Sequence, residues 1–379
     1  MITAGAADIL IIGGGVAGLS AAAMLSQHAR VLVLEAEDST GYHSSGRSAT
    51  MLHYALGNAL VRSLTLASRP FFEQPPDGFG NVPLGRMTPV LVHAREDELT
   101  GLDALEAAIA PFAALDRIDA SAIARLCPVL KVGEGGAVAA LADRTALKID
   151  SDALLQGYAR MLRQNGGTVL TGARVAKIAR SGSHWTTVSE GGERISAPVL
   201  VNGAGSWADE VAELAGVEPI GLAPMRRTII TFDGPDGMDV SRLPFTKTVG
   251  DELYFGAESG RVFASPMDEV PTEPCDAQPD DYEVAVAAYR VEERTTMQVK
   301  RIAHKWAGLR TFTSDRNPAV GFARDAEGFF WLAGQGGFGL QTSPAVGQIA
   351  ASLVCGTKWP LADVSAEDLS PNRFLRQSA

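Results

Sequence analysis

A chain of 379 residues, 46% hydrophobic and 20% charged, is long enough for two packed domains and carries no low-complexity tract or internal repeat. Its formal net charge of -11 disfavours nucleic acid and anionic membrane surfaces as partners. The three cysteines, Cys127, Cys275 and Cys355, are far apart and form no CxxC pair, which fits a reducing compartment rather than a disulfide framework.

The first predicted unit is the most specific. Ile9 to Ile12 form a short apolar strand that runs into Gly13-Gly14-Gly15-Val16-Ala17-Gly18, a G-x-G-x-x-G turn. An Ala-rich helix follows to about His28, and a second apolar strand, Val31 to Leu34, ends in Glu35. Strand, glycine turn, helix, strand and terminal acid make a complete dinucleotide-binding β-α-β unit. Gly13 allows the tight turn, Gly15 lets the backbone approach a pyrophosphate, and Gly18 lets the helix pack close to the strand. The pyrophosphate would sit on the unpaired N–H groups and positive end of the helix, and Glu35 would accept hydrogen bonds from a ribose.

The remaining elements do not continue a regular alternation. A polar segment spans Asp38 to Ser48, a helix is predicted from Ala59 to Phe72 before Pro75-Pro76, and a β-type run covers Thr88 to Val92. A helical region is expected over roughly Glu96 to Leu126. Asp150 or Ser151 reads as the N-cap of a helix reaching about Asn165 and closed by Gly166-Gly167, with strands at Thr168 to Thr171 and Arg174 to Ile178. Pro198 to Asn202 is an apolar strand meeting Gly203-Ala204-Gly205, with a helix from Trp207 to Ala215. Antiparallel strands are predicted at Thr228 to Phe232, Leu253 to Phe255 and Arg261 to Phe263, and a helix at Asp281 to Arg294. The strand-like Trp306 to Arg310 precedes an aromatic strand from Gly328, a second glycine-rich turn (Gly334 to Gly339), and a helix from about Ser343 to Val354. The fold class read from this order is α/β, an α+β arrangement of two domains. A discontinuous Rossmann-like domain comes from 1–50, 146–219 and 306–379, and a mostly antiparallel-sheet substrate domain from 51–145 and 220–305. With no secretory signal and no apolar stretch of membrane-spanning length, the chain reads as cytoplasmic, with peripheral docking at the inner membrane left open. No metal site is expected.

The segments Gly41-Tyr-His-Ser-Ser-Gly-Arg-Ser48, Trp306-Ala-Gly-Leu-Arg310 and Ala333-Gly-Gln-Gly-Gly-Phe-Gly-Leu-Gln-Thr342 resemble the D-amino-acid oxidase superfamily of FAD-dependent oxidoreductases, which includes glycine and sarcosine oxidases, and within it look most like bacterial D-arginine dehydrogenases. The resemblance runs nearly end to end and implies FAD as cofactor. It implies that Ser44, Ser45, Arg47, Ser48 and Ala49 line the pyrophosphate and flavin, and that Val175 meets the adenine. Gly334 and Gly336, Gly337, Phe338, Gly339, Leu340, Gln341 and Thr342 would hold the ribityl chain and a flavin carbonyl. His43 is expected beside the flavin. Val16, Ala17, Ala36, Gly203, Ala204, Gly205, Trp207 and Gly308 complete the implied cofactor contacts. The FAD is expected to be non-covalent, because no cysteine stands near Leu309 to Thr313, where sarcosine-type oxidases attach it.

The same resemblance places Arg310 as the clamp on a substrate carboxylate, with Tyr254 and Arg227 as further carboxylate contacts and the Gly337 carbonyl as acceptor for the amine. No dedicated general base emerges. The implied reaction is hydride transfer from Cα of a D-amino acid to flavin N5, giving an imino acid that hydrolyses to a 2-oxo acid and ammonia. D-arginine dehydrogenases grip their substrate with a strand carboxylate, whereas Gly85 to Val92 carries no acid and contains Arg86; a neutral or apolar side chain is therefore expected. Two other readings stay open: a 2-hydroxy-acid flavin oxidoreductase of the same fold, and an FAD-bearing subunit of a multi-component amine or opine dehydrogenase. The electron acceptor, O2 or a quinone, is left open.

Overall fold

The computed structural model describes residues 7–374; the outermost ends of the expected first and last segments lie outside these. Its centre is a six-stranded sheet in which Phe329–Ala333, Val199–Asn202, Ile9–Ile12, Val31–Leu34 and Thr168–Leu170 lie parallel in that spatial order, with Ala319–Phe322 antiparallel at one edge. The strands are short apolar runs because both faces are covered. Ile9 and Ile11 face helices Val16–Leu25, Ser151–Gln164 and Gly339–Cys355, whereas Leu10 and Ile12 face a three-stranded meander, residues 175–197, through Ile178, Trp185 and Ile195. Helix Ser151–Gln164 starts as its sequence predicts, with the Asp150 carboxylate accepting the Ala153 N–H at 2.9 Å.

A second, nine-stranded sheet is built from two other stretches of chain. All of its pairings are antiparallel except that of Phe245–Thr248 with Val90–Ala94. Its longest pairing joins Ala223–Phe232 to Ile302–Phe312. The expected domain boundary before residue 306 therefore cuts a continuous strand, and the chain returns to the parallel sheet only after Phe312. The helical region expected over Glu96 to Leu126 is also interrupted. Helix Leu99–Ile109 ends just before Pro111, strand Asp116–Asp119 intervenes, and the Asp119 carboxylate starts helix Ala120–Leu126 by accepting the Ala122 N–H at 2.8 Å. Among the described residues no helix is long and apolar enough to cross a membrane.

Candidate active site

Four neighbouring parallel strands release their chains at the same edge of the sheet, where ligands of open α/β sheets bind. Ile9–Ile12 delivers Gly13, Val31–Leu34 delivers Glu35, Val199–Asn202 delivers Gly203, and Phe329–Ala333 delivers Gly334. A trench runs along these ends. At one end it is lined by Glu35, Ala36, Val175, Ala204 and Trp207, and at the other by Ala17, Gly308, Gly334 and Leu340; Gly15, Ser44, Ser45, Gly203 and Gly205 border both.

The trench can take a dinucleotide because the backbone itself forms its floor. Gly13 has φ +107°, and a Cβ there would stand 2.3 Å from the Gly203 carbonyl oxygen. A Cβ on Gly18 would stand 1.9 Å from the Gly13 oxygen, so this glycine sets how closely helix and strand pack. Gly15 differs: its side faces open trench, with only Ser45 Oγ at 3.3 Å. Ser45 Oγ also accepts the Val16 N–H at 2.9 Å, fixing the serine loop to the helix start. Glu35 is buried, and its carboxylate accepts the Gly14 N–H at 2.6 Å and the Glu37 N–H at 2.9 Å, which leaves lone pairs for a ribose.

At the other end, both polar atoms of the Gln335 amide are buried without a partner, although the residue lines the trench. Buried amides of this kind cost free energy unless something bonds them. The flat polar edge of an isoalloxazine fits that need. Helix Gly339–Cys355 begins here with no side-chain cap, so its first N–H groups remain available for a flavin carbonyl. Leu340, Gln341 and Thr342 are its first turn. Leu340 faces the trench, Gln341 donates to Thr65 Oγ1 at 2.8 Å, and Thr342 bonds the Phe338 carbonyl at 3.0 Å, so the latter two side chains hold the turn in place.

Two side chains near the serine loop are held by protein partners. Arg47 borders the trench, is ion-paired to Asp276 at 2.6 Å and donates to the carbonyls of Ala277 and Ala307 at 3.2 and 3.3 Å. Its guanidinium fastens the loop to the large sheet. His43 is expected beside the flavin; it lies at the Glu35 end of the trench, 3.1 Å from Glu37 Oε1, with its ring tilted against that of Trp207 at 4.7 Å between centroids.

One face of the large sheet closes over the glycine turns and encloses a second cavity of about 290 Å³, bordered by Ser48, Ala49, Tyr254, Gly337 and Phe338. Strand alternation explains which side chains reach it. Arg227 stands opposite Gly308, and Met225 opposite Arg310, so Arg227 and Arg310 share a face. Arg226 points the other way and pairs with Glu283 at 3.2 Å. Arg310 donates to the Tyr254 hydroxyl at 3.4 Å, and a Cβ on Gly337 would meet its side chain at 3.3 Å. Among the described residues no carboxylate lies within ion-pair distance of Arg310.

Arg227 is 6% exposed and donates to the Asp268 carbonyl at 2.6 Å and to Glu269 at 3.1 Å. Burial, and next the neighbouring Arg310, lower its pKa to about 10. Burial alone would raise the Glu269 carboxyl, but Arg316, Arg227 and Arg310 hold it below its ordinary value. The charged cavity residues Arg62, Lys247, Asp251, Glu269 and Arg316 were absent from the sequence-derived contacts.

The sequence profile of the FAD dependent oxidoreductase (DAO) family matches residues 8–353. The chain belongs to that family. The DAO architecture is shared with glycine oxidase from Geobacillus kaustophilus (TM-score 0.83, 18% identity, 98% of this chain and 99% of that one) and with L-proline dehydrogenase from P. horikoshii (TM-score 0.84, 19% identity, 98% of each chain). Among curated proteins, this DAO-family chain is 25% identical to hydrogen cyanide synthase subunit HcnC of Pseudomonas aeruginosa over 247 residues, 64% of this chain. It is 26% identical to FAD-dependent oxidoreductase domain-containing protein 1 of Bos taurus over 259 residues, 58% of this chain. These matches span 57% and 52% of the two relatives' own lengths. The chain is thus an FAD-dependent oxidoreductase of the DAO family; the narrower likeness to D-arginine dehydrogenases rests on the sequence segments alone.

Proposed function

We propose that this chain oxidises the Cα–N bond of a D-amino acid, with loss of hydride from Cα to FAD and release of an imino acid that water hydrolyses to a 2-oxo acid and ammonia. The observation that carries this reading is Arg310: a guanidinium facing the junction of trench and cavity, beside the Tyr254 hydroxyl and the Gly337 backbone, with no acid of its own. A carboxylate there receives two parallel charge-assisted bonds and a third from tyrosine, which fixes Cα relative to the trench. Arg227 adds positive charge from the same face. The Gly337 carbonyl accepts an N–H of the amine, and solvent takes the ammonium proton. FAD, held by the glycine turns, Glu35 and the start of the C-terminal helix, supplies the two-electron acceptor.

Side-chain preference follows from the cavity walls. A cationic substrate is disfavoured, since both wall carboxylates, Asp251 and Glu269, are already ion-paired. Lys247 on the same wall adds a cation that a neutral side chain would leave unmatched by the substrate. The test is anaerobic bleaching of bound FAD by D- and L-amino acids, secondary amines and 2-hydroxy acids. Bleaching by D-amino acids with L-enantiomers inert supports the reading. Bleaching by 2-hydroxy acids alone replaces it with hydroxy-acid oxidation.

A further inference from the structure

Resting on that reading of the cavity, we propose that Lys247, with His53 beside it, forms a subsite for a second carboxylate, so that the preferred substrate is an acidic amino acid such as D-aspartate, D-glutamate or a longer homologue.

Lys247 lies on strand Phe245–Thr248, directly opposite Tyr254 on the neighbouring antiparallel strand. Opposed residues share a face, so the ammonium enters the cavity on the far side of the same tyrosine that touches Arg310. The residue is 3% exposed, and such deep burial of a lysine is uncommon without a partner. Its Nζ pairs with Asp251 and reaches the Ala55 carbonyl at 3.4 Å, which occupies two of three ammonium donors. Asp251 is a weak competitor for a substrate, because its side chain is 63% exposed and sits on a turn.

His53 supplies an independent observation. Its ring is fully buried, borders the same cavity, packs against Phe245 at 5.6 Å, and has no partner at either nitrogen. Burial, and next Lys247, lower its pKa to about 3, so it stands as a neutral imidazole with one free donor and one free acceptor. Such a ring is costly in an apolar core. It suits a cavity in which a carboxylate oxygen accepts its N–H. The wall as a whole favours anions: Arg62, Arg227, Lys247, Arg310 and Arg316 face it against Asp251 and Glu269.

The test compares isosteres on the FAD-loaded protein. Wild type is expected to give kcat/KM for flavin reduction at least ten-fold higher with D-glutamate than with D-glutamine, or with D-aspartate than with D-asparagine. Lys247→Met keeps the stem and removes the charge, and should shrink that acid-to-amide ratio at least ten-fold. Asp251→Asn removes the competing anion and should widen it. Binding without turnover is read by melting temperature: glutarate should raise it more than butyrate in wild type, and the difference should vanish in Lys247→Met. A wild-type ratio at or below one, or a ratio unchanged in Lys247→Met, overturns the subsite. If neutral D-amino acids bleach the flavin and acidic ones do not, the subsite fails while the oxidase reading stands. If no amino acid bleaches it, that reading fails, and a glutarate shift lost in Lys247→Met would still establish the subsite.

Discussion

Replacement of Arg310 should separate substrate binding from the rest of the protein. Its guanidinium has no carboxylate partner among the described residues and one long hydrogen bond, to Tyr254 at 3.4 Å. Arg310→Met should therefore cost the folded chain little, about 1 kcal/mol or less. The bound carboxylate loses far more. Each hydrogen bond to a charged group is worth roughly 1.5–3 kcal/mol, so a two-pronged clamp contributes about 3–6 kcal/mol. At 1.36 kcal/mol per decade, kcat/KM for flavin reduction should fall about 10²–10⁴-fold. Arg310→Lys keeps the charge without the fork and should fall in the lower part of that range. The assay is anaerobic stopped-flow bleaching with the best substrate of wild type, alongside a thermal melt and the FAD content of each variant. A fall below ten-fold in protein that retains FAD would refute the clamp.

Other predictions test the cofactor trench and the buried histidines. Gly18→Ala should destabilise the protein even without cofactor, because the new methyl would sit 1.9 Å from the Gly13 oxygen, and a lowered melting temperature of the FAD-free protein would show it. Gly15→Ala meets only Ser45 Oγ at 3.3 Å, so it should leave that melting temperature nearly unchanged while weakening FAD binding, measured by fluorescence titration. Glu35→Gln should weaken FAD binding by about ten-fold, since it loses a charged acceptor at the ribose position and disturbs the Gly14 contact at 2.6 Å.

Stability should also fall as pH drops from 7 to 5. His53 and His93 are held neutral in the fold, near 3 and 4, chiefly by burial, with Lys247 adding to the effect at His53 and Arg294 at His93. Their folded pKa values lie below the ordinary 6.5, so the unfolded chain binds more protons throughout the window from 6.5 down to those values. Each histidine should remove about 2 kcal/mol by pH 5. Urea unfolding at the two pH values checks this, and His93→Gln should flatten the slope.

The dinucleotide unit was legible in the sequence because its constraints are local. A turn at positive φ that passes against the Gly203 carbonyl admits only glycine at Gly13, and the strand that leads into it must be apolar on both faces. Arg310 and Arg227 were legible only through the family resemblance, and strand register then explained why Arg227 and not Arg226 enters the cavity. Lys247 was not legible. In Phe245-Thr-Lys-Thr248 a lysine between threonines reads as a residue on a solvated strand face. Its burial arises because this strand is flanked by Val90–Ala94 and Tyr254–Glu258 in the middle of the large sheet, an arrangement set by segments some 150 residues apart. The broken helical region before Leu126 failed for a local reason: Ala-rich composition concealed Pro111 and the Asp119 cap. The Arg47–Asp276 ion pair was not legible, because Asp276 lies in a segment that no sequence pattern linked to the serine loop.

The central claim is that a carboxylate-anchored amine loses hydride from Cα to FAD. The most direct measurement is anaerobic flavin bleaching in single turnover, comparing a D-amino acid with its α-deuterated form and identifying the product. The account predicts slower bleaching of the deuterated substrate, one 2-oxo acid and one ammonia per flavin reduced, and no bleaching by the L-enantiomer. Equal rates for the two isotopologues at saturating substrate, or bleaching without ammonia, would contradict it.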